Sequence, residues 1–525
     1  MFDYRHVLKY IKKQFRLRDL GIIAAIVSLY FTLRLAFLDG FPIFSDEAIY
    51  IQWAKVAAND ANWRFISLTD GKQPLQTWLT IPFLKLVPDN ALLAGRLVAV
   101  FTGFIALTGV FAILQYLFNK RTAYFGALLY CITPYFLFYD RLALIDSGVA
   151  AASVWILFFS ILLVRTNRLD VALLFGMIAG VALLAKSSVK LFLGLSALAP
   201  VLTYGKNWRV WFDRSANYFI LLTFVSFIGF LIYNVQRLSP FFGFIAQKNT
   251  TFVLTPSELI ANPFQVFFRN AYLIPYYVFS EMGYVLGLLG VAGLYRLYKN
   301  DRKLAGYFAL WLIVPYIALA FAMEVLYPRY ILFFPMVLIL LAAYWLQSLK
   351  SRQLLAGSVV AILASVGYFN YTIIADYENI PLPQVDRGQY IEDWPSGWGA
   401  REIVEFARKQ SNRQPVILLA EGNFGMAGDV LSALLRPSDR ITVDGKWPLN
   451  REDVIAAQQK TKDNLVYVVF SHRTEFPPDW PMKLVKEYVK PGGNASLFLY
   501  QVKRPEGGIK DTLPSEDTSP SAERE

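Results

Sequence analysis

The chain alternates long apolar runs with short polar connections, and the runs are of membrane length. A helix needs roughly 20 mainly apolar residues to cross the hydrocarbon of a bilayer. About eleven stretches approach that length: 20–38, 92–118, 122–138, 147–164, 169–185, 190–204, 217–235, 282–298, 304–323, 330–348 and 354–374. Of 525 residues, 56% are hydrophobic and only 17% are charged, whereas a soluble domain carries about 25% charged residues. The expected fold is an α-helical polytopic membrane protein of about eleven transmembrane helices.

Basic residues orient the expected bundle. Residues 1–20 carry Arg5, Lys9, Lys12, Lys13, Arg16 and Arg18 among Phe, Tyr and Leu, the pattern of an interfacial helix held against anionic cytoplasmic lipid. The N-terminus is therefore expected inside. Alternation then puts Lys120-Arg121, Arg165 with Arg168, Lys206 with Arg209 and Arg214, Arg296 to Lys303, and Lys350 with Arg352 on the cytoplasmic side, as the positive-inside rule asks. Arg34, late in the first run, and the lack of an Ala-x-Ala site argue against a cleavable signal peptide. The net charge of +12 is read as the sum of these short loops, so nucleic acid is not expected as a partner.

An odd number of spans starting inside leaves the chain after about Asp376 outside. The expected organisation is a transmembrane body over 21–375 with external loops at about 39–90 and 236–281, an extracytoplasmic α/β domain over 376–504, and a disordered Ser-, Pro- and Glu-rich tail over 505–525. In the domain, 401–410, 426–435 and 452–460 read as helices and 415–420, 440–443, 464–471 and 496–503 as strands, while 480–489 also reads as a helix. It carries neither a Gly-x-Gly-x-x-Gly nor a Walker sequence, and its expected role is acceptor docking or structural support. With one cysteine, Cys131, and two distant histidines, His6 and His472, neither an intrachain disulfide nor a thiolate or imidazole metal cluster is expected.

The chemistry is expected where charge meets the outer surface. Asp46-Glu47 lies just beyond the first run, and acids at a membrane surface in a chain built to sit in lipid are expected to handle a substrate rather than decorate the fold. As neighbours on a helix they point about 100° apart, so each would serve a different contact. The alternative role is an N-terminal cap built from Ser45 or Asp46 with Glu47 in the first turn. Gly71-Lys72-Gln73-Pro74-Leu75 follows in the same loop, Tyr139-Asp140-Arg141 and Asp146 occupy the next external turn, and Arg329-Tyr330 sits at a later external junction. A turn ion pair or snorkelling lysines, such as Lys186 and Lys190, would explain some of these charges without function. The guanidinium of Arg329 suits an oxyanion because its planar fork binds two oxygens at once. Acids and cations gathered at one face of an apolar body suit a reaction on a lipid-linked phosphate, with the tail in the bilayer.

The order of these residues over about 20–350 resembles that of the GT-C membrane glycosyltransferases of the protein O-mannosyltransferase and aminoarabinose transferase type. That resemblance implies transfer of a sugar from a polyprenyl-phosphate donor to an acceptor hydroxyl on a protein, lipid or glycan, on the extracytoplasmic face of a plasma (inner) membrane. By it, Asp46 is the base of a single inverting displacement and Glu47 orients the acceptor or a neighbouring cation. Lys72 and Arg329 hold the donor phosphate, and Arg141 and Asp146, with Tyr50 and Tyr330, line the sugar or acceptor pocket. No cofactor is implied, and a divalent cation stays open. Gln73 stands where relatives often have proline. The alternative is a multi-pass transporter or lipid flippase, which would place ionisable groups near mid-membrane in broken helices or repeated halves. Here most span centres are apolar and the charges lie at the ends.

Overall fold

A computed structural model describes residues 16–505. The basic segment expected at the N-terminus and the tail expected after residue 505 lie almost wholly outside the described residues. All eleven apolar stretches are helical. Among the described residues, five helices are each long and apolar enough to cross a membrane: Ala91–Leu117, Asp146–Thr166, Trp208–Leu238, Arg302–Ala322 and Arg352–Ala375. The first helix, Leu17–Leu35, is long enough but carries Arg18, Asp19 and Arg34. Leu169–Leu183, Val189–Thr203 and Phe333–Ser348 are shorter apolar helices. The stretch expected at 122–138 is broken where Thr133 precedes Pro134, giving Lys120–Ile132 and Pro134–Tyr139, since the residue before a proline is pushed out of the helical region. Phe267–Glu281 and Val285–Asn300 meet at 108° across Gly283 and Tyr284, both at positive φ.

Burial sorts the helices into a centre and a rim. Phe333–Ser348 is buried along nearly its whole length and Asp146–Thr166 along most of it, so apolar side chains on all sides meet protein. Trp208–Leu238 and Arg352–Ala375 instead leave Phe219, Ile220, Phe227, Val360, Leu363 and Tyr371 exposed, apolar side chains that fit lipid rather than water. Arg34 is fully buried; its guanidinium donates to Asp140 at 3.2 Å and to the carbonyls of Tyr130 and Cys131. This ties the first helix to the broken one.

After the last long helix the chain builds a five-stranded sheet in the order β2-β1-β3-β5-β4, from β1 (Val416–Glu421), β2 (Ile441–Lys446), β3 (Leu465–Phe470), β4 (Met482–Val489) and β5 (Ser496–Val502). β1 lies parallel to β2 and β3, and β5 antiparallel to β3 and β4. The helices Ala400–Ser411, Ala427–Leu434 and Arg451–Gln458 stand where the sequence puts them. The segment expected as a helix at 480–489 is the edge strand β4, and the reason is physical. A register shift between Leu484 and Lys486 breaks the two-residue alternation that marks a strand, leaving a spacing of apolar residues that mimics a helix.

The sheet domain packs on the helix that carries Asp46. Gly425, with φ 83°, lets the backbone approach Ile49 and the Ser45 carbonyl closely enough that a side chain would not fit. Lys55 donates to the Ser432 carbonyl at 2.7 Å, and Trp53 meets Phe424 edge-on at 5.9 Å.

Candidate functional site

Ser45–Asn59 is a helix whose first turn presents two carboxylates to different surroundings. Glu47 is fully buried. Its oxygens accept from Arg96 Nε and Nη2, both at 2.9 Å, from the Ala143 amide at 2.6 Å and from the Phe44 amide at 2.9 Å. Every strong acceptor direction is thus filled, and the bond from Phe44 makes Glu47 the cap of its own helix. Arg96 is equally saturated, donating also to the carbonyls of Leu38, Phe41 and Pro42. Glu47 has no free oxygen with which to orient an acceptor or cation. Its expected place in the chemistry is corrected to that of a buried structural tie.

Asp46, one residue earlier, faces an accessible recess, with its side chain 26% exposed. Lys72 Nζ donates to Oδ1 at 3.0 Å and Arg329 Nη2 to Oδ2 at 3.1 Å. Burial alone would push the carboxyl up, but the Lys72 ammonium and the Arg329 guanidinium outweigh it and hold Asp46 well below the usual carboxylate range. Burial likewise would lower the Lys72 ammonium, and the Asp46 carboxylate outweighs it and raises the group above its ordinary value. Gly71, at φ 65°, makes the turn that aims Lys72, and it sits against Phe244 and Lys248 of the later loop with no room for a side chain.

The cluster extends on both sides of Asp46. Asp70 lies 3.6 Å from Lys72 and accepts from Lys248 at 2.7 Å. Asp146 begins its helix and accepts from Lys186 at 2.8 Å. Lys186 stands 4.2 Å over the Tyr330 ring, and Lys72 stands 5.2 Å over Tyr50 and 5.7 Å over Trp53. Arg329, nearly buried, is stacked among Phe44, Tyr327 and Tyr330 at 5.0 to 5.3 Å and reaches the Tyr390 hydroxyl at 3.4 Å. Asp46, Asp70 and Asp146 thus sit among Lys72, Lys186, Lys248 and Arg329, and the buried Asp386 carboxyl lies within electrostatic reach of Arg329 and Asp146. Two cations that converge on one partly exposed carboxylate also suit an incoming anion such as a phosphodiester.

Of the residues singled out from sequence, Asp46, Lys72, Asp146, Arg329, Tyr50 and Tyr330 converge, whereas Glu47 and Arg141 do not. Arg141 is buried and donates to the carbonyls of Leu33, Arg34, Ala36 and Phe37 at 2.8 to 3.2 Å. These are the open carbonyls at the end of the first helix, which a cation satisfies well, so Arg141 is corrected from pocket lining to helix closure. Asp140, its neighbour, is engaged by Arg34 and Tyr130. Sequence reasoning missed Asp70, Lys248, Tyr327 and Tyr390. Asp70 stands two residues before Lys72, the one local signal available. Among the described residues, no group of three or more His, Cys, Asp or Glu is placed to hold a metal ion.

The helical body with its C-terminal sheet has a GT-C-like fold. Residues 71–233 match the profile of the family described as dolichyl-phosphate-mannose-protein mannosyltransferase. Across 91% of this chain and 97% of the other, the fold is similar to that of ArnT from Cupriavidus metallidurans bound to undecaprenyl phosphate, at 16% identity and a TM-score of 0.60. The apo state of the same protein gives 0.58 at 16% identity, over 92% and 97% of the two chains. The oligosaccharyltransferase of Archaeoglobus fulgidus tethered with an acceptor peptide is similar at 13% identity and a TM-score of 0.50, over 88% of this chain and 69% of that one. No curated protein matches the sequence. The resemblance drawn from the order of charged residues therefore holds at the level of the fold.

Proposed function

We propose that the protein is a membrane glycosyltransferase that moves a sugar from a polyprenyl-phosphate donor to an acceptor hydroxyl, at the outer face of the plasma (inner) membrane. The observation that carries this reading is one partly exposed carboxylate held between Lys72 and Arg329. Lys72 and Arg329 would bind the donor phosphate, and Lys186 with Asp146, Tyr50 and Tyr330 would surround the sugar. Asp46 is a weak base while both cations rest on it. An arriving phosphate competes for the same cations, and a carboxylate released from them recovers basicity. Asp46 then takes the acceptor proton as that oxygen attacks the anomeric carbon, the bond from that carbon to the phosphate oxygen breaks, and the sugar is inverted. The lipid phosphate leaves as an anion stabilised by Lys72 and Arg329. The side chains of Lys72 and Arg329 supply this charge stabilisation.

The test is transfer itself. Purified protein in lipid nanodiscs is incubated with membrane extracts and a panel of polyprenyl-phosphate pentoses and hexoses, and free polyprenyl phosphate is measured. Release that depends on acceptor, from at least one donor, is the expected result. No release from any lipid-linked sugar would overturn the reading.

A further inference from the structure

Between the sheet domain and the segment that follows the last long helix lies a cleft of about 660 Å³, a size typical of ligand sites. Gln384, Gln389, Asp393, Trp394, His472 and Asn494 line it, and so does Tyr327. The lining is rich in amides and poor in charge. Asp393 is its one carboxylate, and among the described residues no lysine or arginine contributes to it. The nearest other charges are turned away: Glu392 accepts from Gln384 at 2.8 Å and from Arg387 at 2.7 Å, and the buried Lys490 donates to the carbonyls of Asp393, Trp394 and Ser396. Burial holds the His472 imidazole below its ordinary range, which favours the neutral ring.

The aromatic groups form a fixed shelf. Trp394, 46% exposed, packs on His472 at 4.5 Å between ring centroids, and His472 meets Trp447 at 5.6 Å. An indole left in water beside side-chain amides that keep unused donor and acceptor capacity is a poor surface and a good ligand platform. A pyranose matches it, since its C–H face is apolar and its rim hydroxyls both donate and accept, as an amide does. A phosphorylated ligand would meet Asp393 and find no cation. This contrasts with the pocket around Asp46, where Lys72, Lys186, Lys248 and Arg329 gather. Tyr327 joins the two: its ring lies 5.3 Å from the Arg329 guanidinium, which itself donates to Asp46.

We infer that this cleft binds the acceptor and that the acceptor is a neutral, hydroxyl-rich glycan, stacked on Trp394 and hydrogen-bonded by Gln384, Gln389 and Asn494, which passes a hydroxyl by Tyr327 to Asp46. This rests on the transferase reading, which supplies the reaction, but its binding step is measured without turnover. Saturation-transfer NMR on the full chain in nanodiscs, with no donor present, would compare neutral gluco-, manno- and galacto-tetraoses with phosphorylated tetraoses and a Ser/Thr-rich peptide.

At least one neutral tetraose is expected to bind, with its affinity lowered tenfold or more in Trp394→Ala and several-fold in Gln389→Ala. Both residues are at least partly exposed, so the variants should melt as the wild type does. The outcome that overturns the inference is no neutral tetraose bound, binding only of the phosphorylated sugars or the peptide, or binding unchanged in both variants. Glycan binding without transfer from any lipid-linked sugar would instead remove the transferase reading and leave the cleft. Transfer without glycan binding would do the reverse.

Discussion

Asp46 and Glu47 are adjacent acids in one helical turn, yet they live in opposite electrostatic regimes. Glu47 and Arg96 form a sealed nest in which each oxygen has a fixed protein donor. Asp46 rests between two cations at the edge of a recess and is a quarter exposed. A fully satisfied buried pair gives rigidity, because any change leaves a charge without a partner. An accessible carboxylate on exchangeable cations gives chemistry, because an incoming anion can take its place. The sealed nest holds the turn that carries the open cluster.

The contrast makes stability and activity separable. The largest effect on folding should come from Glu47→Gln, which strands the Arg96 guanidinium in a buried site at a cost of about 3 to 5 kcal/mol. Thermal melting in nanodiscs should show a large drop, and a variant that melts like the wild type would make the nest unimportant. A smaller effect, confined to the donor, is expected for Arg329→Lys. Loss of the planar fork should weaken polyprenyl-phosphate binding by about tenfold, seen as a rise in donor KM. Equal weakening by a mutation at Arg141, which closes a helix end, would blur the two regions.

The smallest effect concerns pH. Asp46 is depressed in the fold below its unfolded value of about 3.9. Its contribution to stability is therefore present above that value and is lost only as pH falls through the lower folded value. Melting between pH 8 and 5 should show no step from this group, and transfer should not fall there through its protonation in the donor-free enzyme. An acid limb near pH 6 in kcat/KM that disappears in Asp46→Asn would show that the two cations do not hold Asp46 as described.

Much of this contrast was legible in the sequence, and the limit has a physical form. Apolar runs announce helices because lipid leaves the backbone no other partner, and all eleven are helical. The charged residues at the run ends announced a cluster. What one dimension hid is the partner of each charge. Arg96 stands 49 positions from Glu47, and only the packing of two helices shows that they meet. The turn around Arg141 reads as polar surface, although it folds inward to close the first helix. In the sheet domain, one bulge in β4 was enough to turn a strand's pattern into a helix's.

The central claim is that Asp46 takes the acceptor proton while its neighbours hold the donor phosphate. Its most direct test is single-turnover transfer by Asp46→Asn loaded with a polyprenyl-phosphate sugar that the wild type accepts, with bound donor measured in the same sample. The donor is expected to stay bound while the rate falls by about a thousandfold, within the range assigned to a lost general base. Transfer at the wild-type rate in that variant would contradict it.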